Sequence, residues 1–127
     1  MHLEYTPEQQ QLREEIRAQL ESVMTPERAA AVSRRNEGGP AVKECVRALA
    51  AANLLGVGWP KEYGGRGFSA IEQHIFFEEA KRLNAPIPLV TLNTVGPTLM
   101  QFGTEDQKQQ FLPAILDGTV EFAIGYS

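Results

Sequence analysis

An all-α fold, an antiparallel bundle of about five to six helices ending at the start of a β-strand, is what the sequence predicts. Apolar residues recur at helical spacing in successive segments. Three of these segments open with a hydroxyl residue followed three positions later by Glu or Gln, and Gly or Pro punctuates the short intervals between them. A chain of 127 residues has room for a single core.

The first helix starts at Thr6, where the hydroxyl can accept from the Gln9 amide while the Gln9 side chain reaches back. Pro7 takes the first helical position, where a missing N–H is no loss. Leu12, Ile16, Leu20, Val23 and Met24 then recur on one face until Pro26 discourages continuation. After the polar stretch SRRNEGGP, a second helix should begin near Pro40, bury Val42, Cys45, Val46 and Leu49, and end at Asn53 before Gly56 and Gly58. The segment GVGWPKEYGGRGF is too irregular for a helix or long strand. It is expected to be an ordered loop anchored by Trp59. Ser69 and Glu72 start a third helix, running to about Leu83, with Ile71, Ile75, Phe76, Ala80 and Leu83 turned inward.

The apolar run LVTLNTVGPTLMQF is interrupted by Gly96 and Pro97, which predicts a bent helix or two short pieces. Gly103 closes it, and Thr104 with Gln107 caps a last helix whose inner face is Phe111, Leu112, Ile115 and Leu116. Pro113 should bend or end that helix. Beyond the Asp117–Gly118 turn, Val120, Phe122, Ile124 and Tyr126 alternate with smaller or polar residues, the pattern of a strand with one face in a core. The chain stops inside this strand, so either it needs a partner segment or this end is expected to fray.

Composition removes several function classes. The net charge is −4, with 12 Lys and Arg scattered among 16 Asp and Glu, so there is no basic stripe for nucleic acid. No apolar run approaches the roughly 20 residues of a membrane span, and the opening residues lack a signal-peptide pattern, so the expected location is cytoplasmic. Cys45, the single cysteine, has no His or Cys at ligand spacing and reads as a small buried residue, with no metal expected.

YGGRG invites a phosphate-loop reading, but no Lys-Ser or Lys-Thr follows and no strand precedes it; a turn packed against Trp59 and Tyr63 fits better. Glu78 and Glu79 point about 100° apart on a helix and cannot flank one atom as acid and base. Both are expected to be solvated, and neither His74 nor His2 has a catalytic partner at motif spacing. Thr91, Asn93, Thr94 and Thr98 place polar groups in an otherwise apolar segment, so they either bond to preceding carbonyls or face a cavity.

The stretches GVGWPKEYGGRGF, EQHIFFEEAKR, FGTEDQKQQFLPAILDG and FAIGYS stand in the order and spacing found at the start of acyl-CoA dehydrogenases, which the chain resembles over nearly its whole length. Only SRRNEGG has no counterpart. The run from GVGWPKEYGG through PLVTLNTVGPTL most resembles the branch acting on steroid side-chain CoA thioesters in actinobacteria. The resemblance implies a helical N-terminal domain over residues 1–119 and, over 120–127, the first strand of a middle β domain whose remainder is missing. It further implies FAD held between the domains, commonly across a homo- or heterotetramer interface, an acyl-CoA substrate, and electron-transfer flavoprotein or a similar acceptor.

In the family, a glutamate removes the α proton of the thioester while hydride leaves the β carbon for flavin N5. That glutamate belongs to the C-terminal domain, and no Glu in this chain matches it. By the same match Ile124, Tyr126 and Ser127 would approach the isoalloxazine ring, and Thr91, Leu92, Thr94, Val95 and Leu99 are candidates for one wall of the acyl cavity, where bulk or polarity would tune chain selection. On this reading the chain alone is too short to catalyse. Two alternatives remain open: a non-catalytic helical module docking on a dehydrogenase partner, and part of an acyl-CoA oxidase.

Overall fold

The computed structural model describes residues 4–33 and 39–126, and several of its helices begin where the sequence supplies caps. The elements are α1 (Pro7–Val23), α2 (Pro26–Ser33), α3 (Pro40–Ala51), α4 (Ala70–Arg82), α5 (Gly96–Phe102) and α6 (Glu105–Leu116). A 3-10 turn occupies Lys61–Tyr63, and a π-turn over Thr91–Val95 runs directly into α5. Reciprocal capping boxes form at Thr6/Gln9, Ser69/Glu72 and Thr104/Gln107, so the side chains satisfy helix-end amides that would otherwise lack partners. His2 and most of SRRNEGG lie outside the described residues.

Two prolines do more, or less, than interrupt a helix. Pro26 ends α1, as expected, but also opens α2 as its first residue, with the Thr25 hydroxyl accepting from the Arg28 amide at 3.3 Å. The Arg28 guanidinium in turn donates to the Val23 carbonyl at 2.8 Å, covering the end of α1. Pro113 does not end α6, which continues to Leu116. It stands in the last turn on the exposed side, and the Asp117 amide still donates to the Pro113 carbonyl at 3.0 Å. There the missing proline N–H removes one bond near the frayed end instead of interrupting a long ladder.

The core is built where these helices meet. Ile16 and Leu20 of α1, Leu49 of α3, Ile75 and Phe76 of α4, and Leu112 and Ile115 of α6 are buried together. A smaller cluster of Met24, Val32 and Cys45 seats α2 on α3. Burial pushes the Cys45 thiol above its ordinary range, which keeps it neutral and inert. Ile71, expected inward, is instead half exposed in the first turn of α4, beside Tyr5 and His74 in a shallow groove.

The glycine-rich segment between α3 and α4 is an ordered loop closed on itself. The Arg66 amide donates to the Gly56 carbonyl at 3.3 Å and the Phe68 amide to the Val57 carbonyl at 2.9 Å. Gly64 has φ 90°, which a side chain rarely adopts, and a Cβ at Gly65 would strike the Trp59 backbone. Residues 120–126 carry neither helix nor strand. The ladder expected of them requires a second strand, and none is present among the described residues.

Candidate functional site

The π-turn over Thr91–Val95 follows from what Pro97 lacks. Proline offers no N–H to an α-helical ladder, and the Gly96 amide reaches back five residues to the Thr91 carbonyl, admitting one extra residue to the turn. Such widened turns recur at functional sites because they re-aim side chains without ending a helix. The turn is held from two sides. Trp59, buried at the centre of its loop, donates its indole N–H to the Leu92 carbonyl at 2.8 Å. On the opposite side, Thr91 Oγ1 accepts the Phe122 amide at 2.9 Å and donates to the Phe122 carbonyl at 3.3 Å. Trp59 reaches the turn because Gly96 has no side chain: a Cβ there would overlap the indole ring.

The residues expected to form an acyl wall divide between these sides. Leu92 is buried and lines a cavity of about 160 Å³ with Trp59, Phe76, Phe77, Ile87 and Asn93. Thr91 is buried against the C-terminal segment. Thr94 is exposed, and Val95 and Leu99 are half buried. Thr98 donates to the Thr94 carbonyl at 2.7 Å, the local bonding open to any helical threonine. The five are therefore contiguous along one turn and helix, but they do not surround one enclosed space.

Ile124 is half exposed and Tyr126 is 91% exposed, while Ser127 lies outside the described residues. Val120 and Phe122, on the same alternating face, are half buried, and the Phe122 ring meets Phe111 edge-on at 5.6 Å. Among the described residues, 123–126 make no backbone hydrogen bonds. The segment thus presents backbone donors and acceptors without backbone partners, with an apolar and an aromatic side chain left uncovered. The YGGRG loop does not suit a phosphate, because the Gly65, Arg66, Gly67 and Phe68 amides are bonded to carbonyls of the same loop.

One polar site was missed by the sequence reading. Glu79, expected to be solvated, is 2% exposed. Arg17 meets it with two bonds at 3.0 and 2.9 Å, Arg13 at 3.0 Å and Arg82 at 3.1 Å. Arg17 and its fellow guanidiniums outweigh the burial penalty and hold the Glu79 carboxyl at a pKa of about 2. Glu78 is exposed; it bonds Arg13 at 2.7 Å and lies 2.9 Å from His74 Nε2. The missed signal was periodicity, since Glu79 falls in the stripe Ile75, Phe76, Ala80, and Arg13 and Arg17 stand four apart on α1. A carboxylate locked in its ionised form is a poor proton acceptor at neutral pH, so this cluster clamps α1 to α4 and is not a catalytic base.

The family pattern described as "Acyl-CoA dehydrogenase, N-terminal domain" matches residues 6–119. Acyl-CoA dehydrogenase FadE29 of Mycobacterium tuberculosis is 49% identical over 127 residues, covering 100% of this chain and 33% of that protein. Among solved structures, the ChsE4-ChsE5 complex from Mycobacterium tuberculosis superposes with TM-score 0.90 at 46% identity, covering 100% of this chain and 32% of the solved one. A structure described as "Tcur3481-Tcur3483 steroid ACAD" superposes with TM-score 0.86 at 45% identity, covering 100% and 33%. The chain thus spans about one third of the length of the relatives it matches.

Proposed function

The chain belongs to the acyl-CoA dehydrogenase family, matching its N-terminal domain, and from that premise we propose that it forms one wall of an acyl-CoA site and one edge of an FAD site in an α,β-desaturating dehydrogenase. The observation that carries the reading is the pairing of Thr91 with Phe122, which ties the C-terminal segment to the π-turn at Phe122, with Ile124 and Tyr126 beyond it uncovered. Residues 1–119 then act as the helical domain, and 120–127 as the start of the segment that joins a β domain. The relatives with steroid-type and two-chain descriptions favour a steroid side-chain thioester as substrate and a heteromeric assembly. Electron-transfer flavoprotein or a similar carrier would accept the electrons, with the protein acting in the cytoplasm; among the described residues no helix is long and apolar enough to cross a membrane.

Bound flavin supplies the two-electron acceptor that desaturation requires. The chain's own contribution is placement and exclusion of water. Thr94, Val95 and Leu99 present the surface over which an acyl group would lie, and Leu92 and Trp59 support that surface from beneath. Thr91 belongs to the same turn, but its hydroxyl is already occupied. The family resemblance implies that the proton-abstracting carboxylate comes from elsewhere, and Glu79, sequestered by three arginines, is no candidate for it.

The experiment is an anaerobic titration of the full reading-frame product with acyl-CoA thioesters, with and without a candidate partner chain, following the flavin absorbance. Bleaching by an α,β-saturated thioester is the expected result. A protein that binds no flavin under any of these conditions would overturn the proposal.

A further inference from the structure

We propose that Thr91 is a positioning residue whose hydroxyl fixes the register of residues 120–126 and so sets where Ile124 and Tyr126 stand against the flavin. This rests on the functional reading above. In an antiparallel ladder, two facing residues exchange both of their N–H···O bonds. Here one side-chain hydroxyl does both parts, accepting from the Phe122 amide at 2.9 Å and donating to the Phe122 carbonyl at 3.3 Å. Thr91 is 1% exposed and Phe122 is half buried, so losing the hydroxyl would leave the Phe122 amide and carbonyl without that partner at a partly covered position.

Phe122 is the last residue at which the segment is tied down. Its ring rests on Phe111 at 5.6 Å, but an edge-on ring contact tolerates sliding, whereas a paired donor and acceptor selects one residue. A slip of one position would bring Ala123 to Thr91 and turn Ile124 and Tyr126 to the opposite face. Thr91 also opens the π-turn whose exposed Thr94 faces the proposed acyl space. One hydroxyl therefore links the acyl wall to the flavin edge. Valine has the shape of threonine without the hydroxyl, and serine keeps the hydroxyl without the methyl.

The test compares the full reading-frame product with its Thr91→Val and Thr91→Ser variants by hydrogen exchange over residues 118–126, by the position of the visible flavin band, and by steady-state kinetics. Thr91→Val is expected to speed exchange around Phe122 roughly tenfold, to shift the flavin band, and to lower kcat while leaving KM for the thioester nearly unchanged. Thr91→Ser should restore wild-type behaviour. Unchanged exchange in Thr91→Val would overturn the clasp, and faster exchange with an unaltered flavin band and kcat would overturn its role at the flavin. A colourless wild-type protein would refute the functional reading itself, while the exchange comparison would still report on the clasp. If Thr91→Val cannot be recovered folded, Thr91→Ser must match the wild type in all readouts, and a shifted band with faster exchange there would defeat the proposal.

Discussion

At the scale of single residues, burial decides which polar groups matter. Replacing Glu79 by Gln removes the buried negative charge shared by Arg13, Arg17 and Arg82, and because two of these guanidiniums reach solvent the expected cost is about 1 to 3 kcal/mol in urea denaturation. Glu78→Gln, at an exposed position, should have a much smaller effect. Trp59→Phe leaves the buried Leu92 carbonyl unpaired, for an expected loss of about 1 to 3 kcal/mol by the same measurement. Gly96→Ala would press a methyl into the Trp59 ring, and strain of about 1 to 3 kcal/mol should appear as a lowered denaturation midpoint. Trp59 was legible as an anchor from its setting in a glycine-rich loop. Glu79 was misread because adjacency to Glu78 was weighed more heavily than its place in the apolar stripe. The Thr91 contact was not legible, since it spans 31 positions and depends on how the C-terminal segment folds back.

At the scale of elements, the helices with reciprocal caps were the most readable, because Thr6, Ser69 and Thr104 each solve a local hydrogen-bonding problem whatever the tertiary structure. Each substituted by Ala should cost about 1 kcal/mol, measured by thermal or chemical unfolding. The π-turn was visible only as an interruption at Gly96 and Pro97, since sequence shows that a bond is missing but not which carbonyl takes the next amide. Helix α2 escaped notice because Pro26 was taken as a stop when the same residue also starts a helix.

The clamp between α1 and α4 carries a pH dependence of definite sign. Folding depresses the Glu79 pKa from 4.5 to about 2, so its stabilisation is complete above pH 4.5 and is lost as pH falls toward 2. Acid unfolding of the wild type should steepen in that window, and Glu79→Gln should flatten the profile there; parallel profiles would contradict the assignment.

At the scale of the whole molecule, the helical domain reads as a support for two edges. One is the turn and helix from Thr91 to Leu99, and the other is the segment from Val120 to Tyr126. Both carry surface the described residues leave uncovered, with Thr94 on the first and Ile124 and Tyr126 on the second. The Trp59 loop holds the first edge through the Leu92 carbonyl, and the Thr91 hydroxyl ties the second edge to the first. The family was legible at this scale through four motifs in register; the division of the acyl-wall candidates between two sides of the π-turn was not, because it depends on which way one widened turn aims its side chains.

The most direct measurement is a density map of the full reading-frame product with flavin bound. The account predicts the isoalloxazine ring in contact with Ile124 or Tyr126, within about 4 Å, on the face continuous with Phe122. A ring seated against another surface of the helical domain, with those side chains facing solvent, would contradict it.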